Sequence, residues 1–283
     1  MLFKSEPWST FHLLLQSPLT MLQMVDLPNE LLFHIFGDLN LTSLIAARGV
    51  CHRWKSIVSS ANTIHPARRS LLDLYLRAVN SPTFLPTRPH ILPHLQTFNR
   101  EEFYEKLPMS TPDEFKVWIL EWPQKAVIGW LWPGLPSTAL TEPNDISLRA
   151  RGESILSYPN APCLCQYTLG NPSLNRDQLR NLTNNPIMCY SSNLWNKLSR
   201  NTIDITVLYI CSKDPSVDNA NTWVDFVVEA GEGGEHLLGN LYHFDFGDEG
   251  EVANNWVEFL HHEIDYEEWE FAGGRYNLAD LYS

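Results

Sequence analysis

Apolar residues recur at helical spacing through LPNELLFHIFGDLNLTSLIAARGVCHRWKSIV, the stretch from Leu27 to Val58. Leu31, Leu32, Ile35, Phe36 and Leu39 draw a broad apolar stripe along one helix, which Pro28 opens at no cost in lost N–H bonds. Gly37 and Asp38 weaken its end. Asn40 or Thr42 caps a second helix carrying Leu44 and Ile45, and Gly49 is expected to end it. Val50, Trp54, Ile57 and Val58 stand at i, i+4, i+7 and i+8 and predict a third helix, with Arg53 and Lys55 on its wetter side. Three helices this short enclose little interior. Some of these side chains must therefore be covered from outside the unit, either by the rest of the chain or by a partner, and spacing alone does not choose.

Further along, Pro66 opens a helix in PARRSLLDLYLRAVN, with Leu71, Leu72, Tyr75 and Val79 on one side, expected to lock the first unit to the rest of the chain. SPTFLPTRPHILPHLQ is proline-rich and reads as an irregular connector. Asn99 with Glu102, and Thr111 with Glu114, read as capping boxes. The second of these helices would turn Phe115, Trp118, Ile119 and Trp122 inward. Trp130 and Trp132 come next in an apolar turn and are read as packing between helix and sheet rather than as a ligand platform. Residues 137–200, rich in Pro, Asn and Ser, read as loop with short strands and one short helix capped by Asn175 with Gln178. The last third alternates more clearly. TIDITVLYI (202–210), NTWVDFVVEA (221–230) and HLLGNLYHFDF (236–246) read as strands joined by short turns, GEGGE among them, which makes an antiparallel meander natural. Val252, Trp256, Phe259 and Leu260 then lie on one helical face, with Glu258, Glu263 and other acids opposite. The fold class is α+β: an N-terminal three-helix unit, a helical connector, then an antiparallel sheet with packed helices.

The chain has 283 residues and a net charge of −13, unevenly placed. Residues 1–100 carry +4, residues 101–200 carry −1, and residues 201–283, with two Lys/Arg against 18 Asp/Glu, carry −16. So acidic a surface repels phosphate backbones, so no nucleic-acid partner is expected; it favours basic protein surfaces. No run of 18 apolar residues suggests a membrane span. The first 23 residues lack the basic, apolar and small-residue segments of a signal peptide and read as a loose extension. Five cysteines, an odd number in no disulfide-like frame, suit a reducing cytoplasm or nucleus, and Cys163-Leu-Cys165 has no second pair at zinc spacing.

The order Leu27-Pro28, Glu30-Leu31-Leu32, Ile35, Leu39, Leu44 and Val50-Cys51-His52-Arg53-Trp54 resembles an F-box. What the resemblance implies is a partner: the Skp-type adaptor of SCF-type cullin–RING ubiquitin ligases, met by a helix in a groove. Carried over as adaptor-binding are Leu27, Pro28, Glu30, Leu31, Ile35, Leu39, Leu44, Val50, Cys51 and Trp54, with Trp54 as the principal anchor. The divisions this suggests are an extension at 1–23, the F-box at 24–62, a helical and proline-rich connector at 63–98, and an α+β domain at 99–283. The strand with Trp223, the glycine turn, the third strand and the helix after FGDEGEVANNW resemble the SUKH (Smi/Knr-like) domains that accompany F-boxes in fungal proteins.

Catalytic signatures are missing: no phosphate loop, no Gly-x-Ser-x-Gly, no His-Glu-x-x-His. The acids and imidazoles of YHFDFGDEGEVANNWVEFLHHE, namely His243, Asp245, Asp248, Glu249, Glu251, His261, His262 and Glu263, have ligand chemistry but no calcium-loop spacing. The expectation is a non-enzymatic adaptor subunit, with no cofactor or metal, that captures an unknown protein client for ubiquitin-dependent degradation. The alternatives are an F-box scaffold without a client, and a metal-dependent enzyme using the acidic segment.

Overall fold

The computed structural model describes residues 27–129, 131–135, 156, 162–170, 187–189, 202–212, 223–244 and 250–272. The N-terminal extension, Trp130, the helix expected from Asn175, and Asp245, Asp248 and Glu249 lie outside the described residues. Among the described residues seven α-helices come first: α1 (Asn29–Asp38), α2 (Leu41–Val50), α3 (His52–Ser60), α4 (Pro66–Val79), α5 (Phe84–Ile91), α6 (Arg100–Glu105) and α7 (Asp113–Glu121). A six-stranded sheet comes next, built from β1 (Leu164–Gly170), β2 (Ile187–Cys189), β3 (Thr202–Ser212), β4 (Trp223–Ala230), β5 (Leu241–Phe244) and β6 (Gly250–Ala253), and α8 (Trp256–Ala272) is the last described element. Strand order is β2-β1-β3-β4-β5-β6. Five strands are antiparallel, including the expected meander β3-β4-β5, and β2 joins β1 in parallel at the edge.

Local chemistry explains most boundaries. Asn40 caps α2 by accepting from Ser43 N, and Asn99 caps α6 by accepting from Glu102 N. Gly49 does not end α2, which runs on to Val50. The turn is made instead by Cys51, in extended backbone, whose thiol accepts from Trp54 N at 3.5 Å and starts α3. Thr111 does not cap α7. Pro112 stands at that position, and the Thr111 hydroxyl donates to Pro108 O at 2.7 Å. The proline-rich 84–91 is a helix rather than an irregular connector. Pro86 falls in its first turn, where no N–H is needed. Buried Arg88 pins the segment by donating to Phe84 O, Lys125 O and Val127 O.

Two further differences concern the last third. Among the described residues of the expected third strand, only Leu241–Phe244 is extended, because Glu235–Leu237 forms a 3₁₀ turn and Gly239, at φ 90°, reverses the chain before it. Val252 lies in β6, not on the last helix. Asn255 Oδ1 accepts from Glu258 N while Glu258 Oε2 accepts from Asn254 N, and this reciprocal cap fixes where α8 begins.

One hydrophobic cluster runs from Leu32 and Phe36 through Leu71, Leu72 and Trp118 to Phe226, Trp256 and Ile264, so the connector helices belong to the main core. At its centre Phe115, Trp118, Trp132, Phe226 and Trp256 stack edge-on or tilted, with centroids such as Phe115–Trp256 at 4.8 Å and Trp118–Trp132 at 5.0 Å. Trp132 is thus core, wholly buried. The other face of the sheet carries a second cluster of Leu169, Ile203, Ile205, Val207, Val227, Leu237 and Tyr242.

Candidate functional site

The stripe read along α1 divides into two faces. Leu32 and Phe36, one turn apart, point into the core at 0 % and 1 % exposure. Leu31 and Ile35, one residue earlier on each turn, stand on a second face; Leu31 is 50 % exposed and Ile35 half-buried. Leu27 and Leu39 are half-buried at the two ends of α1, and Pro28 and Glu30 are exposed. Val50, at the end of α2, is 58 % exposed, while Cys51 and Trp54 are half-buried. Trp54 packs edge-on against Phe36 with centroids 5.4 Å apart, which ties the open face to the core behind it.

Leu44 corrects the expected set. It is 0 % exposed within the main cluster, on the side of α2 that meets α4 and α7. In this fold it packs inside the unit rather than on its open side. The reason is helical phase: α2 turns Leu41, Leu44 and Ala47 inward together, leaving Val50 at its end as the open residue.

Polar contacts that sequence reasoning did not single out fix this geometry. Arg53 on α3 donates to Leu27 O and to Asn29 Oδ1, at 2.5 and 2.8 Å from one guanidinium nitrogen, and so holds the start of α1 against α3. Glu121, at the end of α7, accepts from Leu41 N at 2.7 Å and from Arg68 on α4 at 2.7 and 2.9 Å. One carboxylate therefore caps α2 and pairs with α4, locking the three-helix unit to the rest of the chain. Arg69 caps the last carbonyls of α3, donating to Val58 O and Ala61 O. At the far end of α4, Arg77 holds Glu268 and Asp265 of α8. Cations near helix ends were visible in the sequence, but which carboxylate or carbonyl each would reach was not.

The acidic segment gives a different picture. His261, His262 and Glu263 lie on α8, His243 on β5 and Glu251 on β6. Among the described residues no three His, Cys, Asp or Glu side chains gather as a metal site. The titratable group that stands out is Asp225 in β4, opposite Tyr209 on β3 and Tyr242 on β5. It is 1 % exposed, neither carboxyl oxygen has a hydrogen-bond partner among the described residues, and burial pushes its pKa up to about 8. No helix among the described residues is long and apolar enough to cross a membrane.

Comparison with known proteins bears on the N-terminal unit alone. No curated protein and no solved structure matches the chain. A family model, described as F-box-like, matches residues 24–64. Three short helices with an open apolar face at Leu31 and Val50, clasped to the chain behind them, are thus the F-box-like domain of this protein.

Proposed function

We propose that the chain is the substrate-recognition subunit of an SCF-type cullin–RING ubiquitin ligase. Its F-box-like domain docks on the Skp-type adaptor through Leu27, Pro28, Glu30, Leu31, Ile35, Leu39, Val50, Cys51 and Trp54, and the C-terminal sheet presents a protein client. The observation that carries this reading is the open apolar face within a matched F-box-like domain, since two large aliphatic side chains stand half or more exposed at Leu31 and Val50. The chain performs no chemistry of its own in this account. It brings client and ligase together, and proximity does the work.

The meander β3-β4-β5, the Gly231–Gly234 turn and the helix after β6 support reading the C-terminal domain as Smi/Knr-like, of the fungal kind. Co-expression with a fungal Skp-type adaptor, and then size exclusion, tests the central claim. A one-to-one complex is expected. A monomer that ignores the adaptor refutes it, and ubiquitin transfer to a captured client then separates a degradation subunit from a scaffold.

A further inference from the structure

On the helix side of the sheet the aromatic core gives way to polar residues toward one end. Gln166 of β1, Thr206 of β3 and Glu229 of β4 stand next to one another across three strands in register. The Thr206 hydroxyl donates to Glu229 at 2.8 Å, and two residue pairs along, on the same face, Thr168 donates to Asp204 at 2.5 Å. The turn after α6 passes over this end of the sheet. Between them lies an open groove of about 670 Å³, lined by Lys106, Leu107, Pro108 and Leu164 on the walls and by Thr206 and Glu229 on the floor.

We propose that this groove takes a short basic segment of the client. The inference rests on the chain's being a client-binding subunit, and it names where and by what chemistry the client is read. The chemistry of the groove selects the occupant. Glu229 is exposed, and among the described residues Thr206 is the partner of its carboxylate. Asp204 stands exposed beside it. Lys106, the cation on the wall, is paired with Glu102 at 2.9 Å, so it opposes an incoming positive charge weakly. Leu107, Pro108 and Leu164 give the aliphatic stem of a lysine or arginine an apolar wall to lie along while its head reaches Glu229. Residues 201–283, which supply most of the floor, carry −16 and steer basic segments toward it.

The probe is a fluorescein-labelled nonapeptide of alternating lysine and leucine, with its glutamate–leucine counterpart as control, read by anisotropy against the full chain in complex with its adaptor. Binding of the lysine peptide alone is expected, weakening as salt rises. Glu229→Lys should reduce affinity about tenfold or more. Lys106→Ala should raise it by about twofold at most. Asp73→Lys, which makes the same change in net charge on the exposed side of α4, should leave it within twofold. Equal losses from Glu229→Lys and Asp73→Lys would mean diffuse attraction to an acidic protein and would overturn the groove assignment, as would no binding at all. Co-elution with the adaptor is read separately on the same samples. A complex that forms while the peptide ignores the groove sinks only this inference, and a failed complex sinks the ligase reading.

Discussion

Leu31, Val50 and Leu44 all belong to the apolar pattern of one small unit, yet the structure assigns them opposite work, and that contrast can be measured. Leu31 is 50 % and Val50 58 % exposed, whereas Leu44 is 0 % exposed. Burying a whole Leu or Val side chain gains about 1.5–3 kcal/mol, so the open halves of Leu31 and Val50 leave about 1 kcal/mol each to be gained on docking. The double variant Leu31→Ala, Val50→Ala should therefore lower adaptor affinity by about 2 kcal/mol, near thirtyfold, from area alone. The covered halves of Leu31 and Val50 are worth no more than the open halves, so the same variant should lower unfolding free energy by about 1 kcal/mol or less at each position. Leu44→Ala should do the reverse. It empties a sealed site and costs about 2–5 kcal/mol of stability, while the folded fraction binds adaptor normally. Urea titration by tryptophan fluorescence gives the stability change and calorimetry with purified adaptor the affinity. If the double variant melts as badly as Leu44→Ala, or binds within twofold of the parent chain, the division of the stripe into an inner and an outer face is wrong.

Two other expectations come from polar groups in the fold. Asp225 keeps its proton up to a pKa of about 8, far above the ordinary carboxyl range, so between roughly pH 4 and 8 the folded chain holds one proton more than the unfolded chain. Stability therefore falls as pH rises through that window, by up to about 1.4 kcal/mol per unit from this group. Urea unfolding at pH 6 and pH 8 should show parent and Asp225→Asn diverging by about 2–3 kcal/mol, with the parent losing more; parallel profiles would refute the buried neutral carboxyl. Glu121→Ala removes a carboxylate held by both Arg68 and the first N–H of α2, and should cost about 2–3 kcal/mol in the same assay. A loss under about 0.5 kcal/mol would mean the clasp contributes nothing, as exposed ion pairs often do.

Much of this protein was legible without coordinates, wherever a local rule decides. Spacing alone places α1, α3, α4 and α7, because an amphipathic helix repeats its burial every three or four residues. It places β3 and β4, because β-branched runs bounded by turns have few other uses. Asn40 and Asn99 announce their caps through chemistry that reaches only three residues along the chain. The F-box-like order of Leu27 to Trp54 points to the unit matched at residues 24–64. Asn255 with Glu258 was equally legible, and would have kept Val252 out of the last helix.

Tertiary structure decided what depends on the other side of a contact. A stripe wide enough to have two faces does not say which one meets the chain's own core. Leu31 and Leu32 are neighbours in sequence, and only the folded core, with α3 against α1 and with α4 and α7 against α2, sorts Leu32 and Leu44 inward and leaves Leu31 and Val50 open. The prolines of 84–91 argued against a helix until Arg88 found the carbonyls of Lys125 and Val127, far along the chain. Asp225 looked like one acid in an acidic third, and became a buried neutral carboxyl only because β3 and β5 close over it on both sides. Local propensity acts through a few bonds, whereas burial and charge state are set by groups that meet only when the chain has folded.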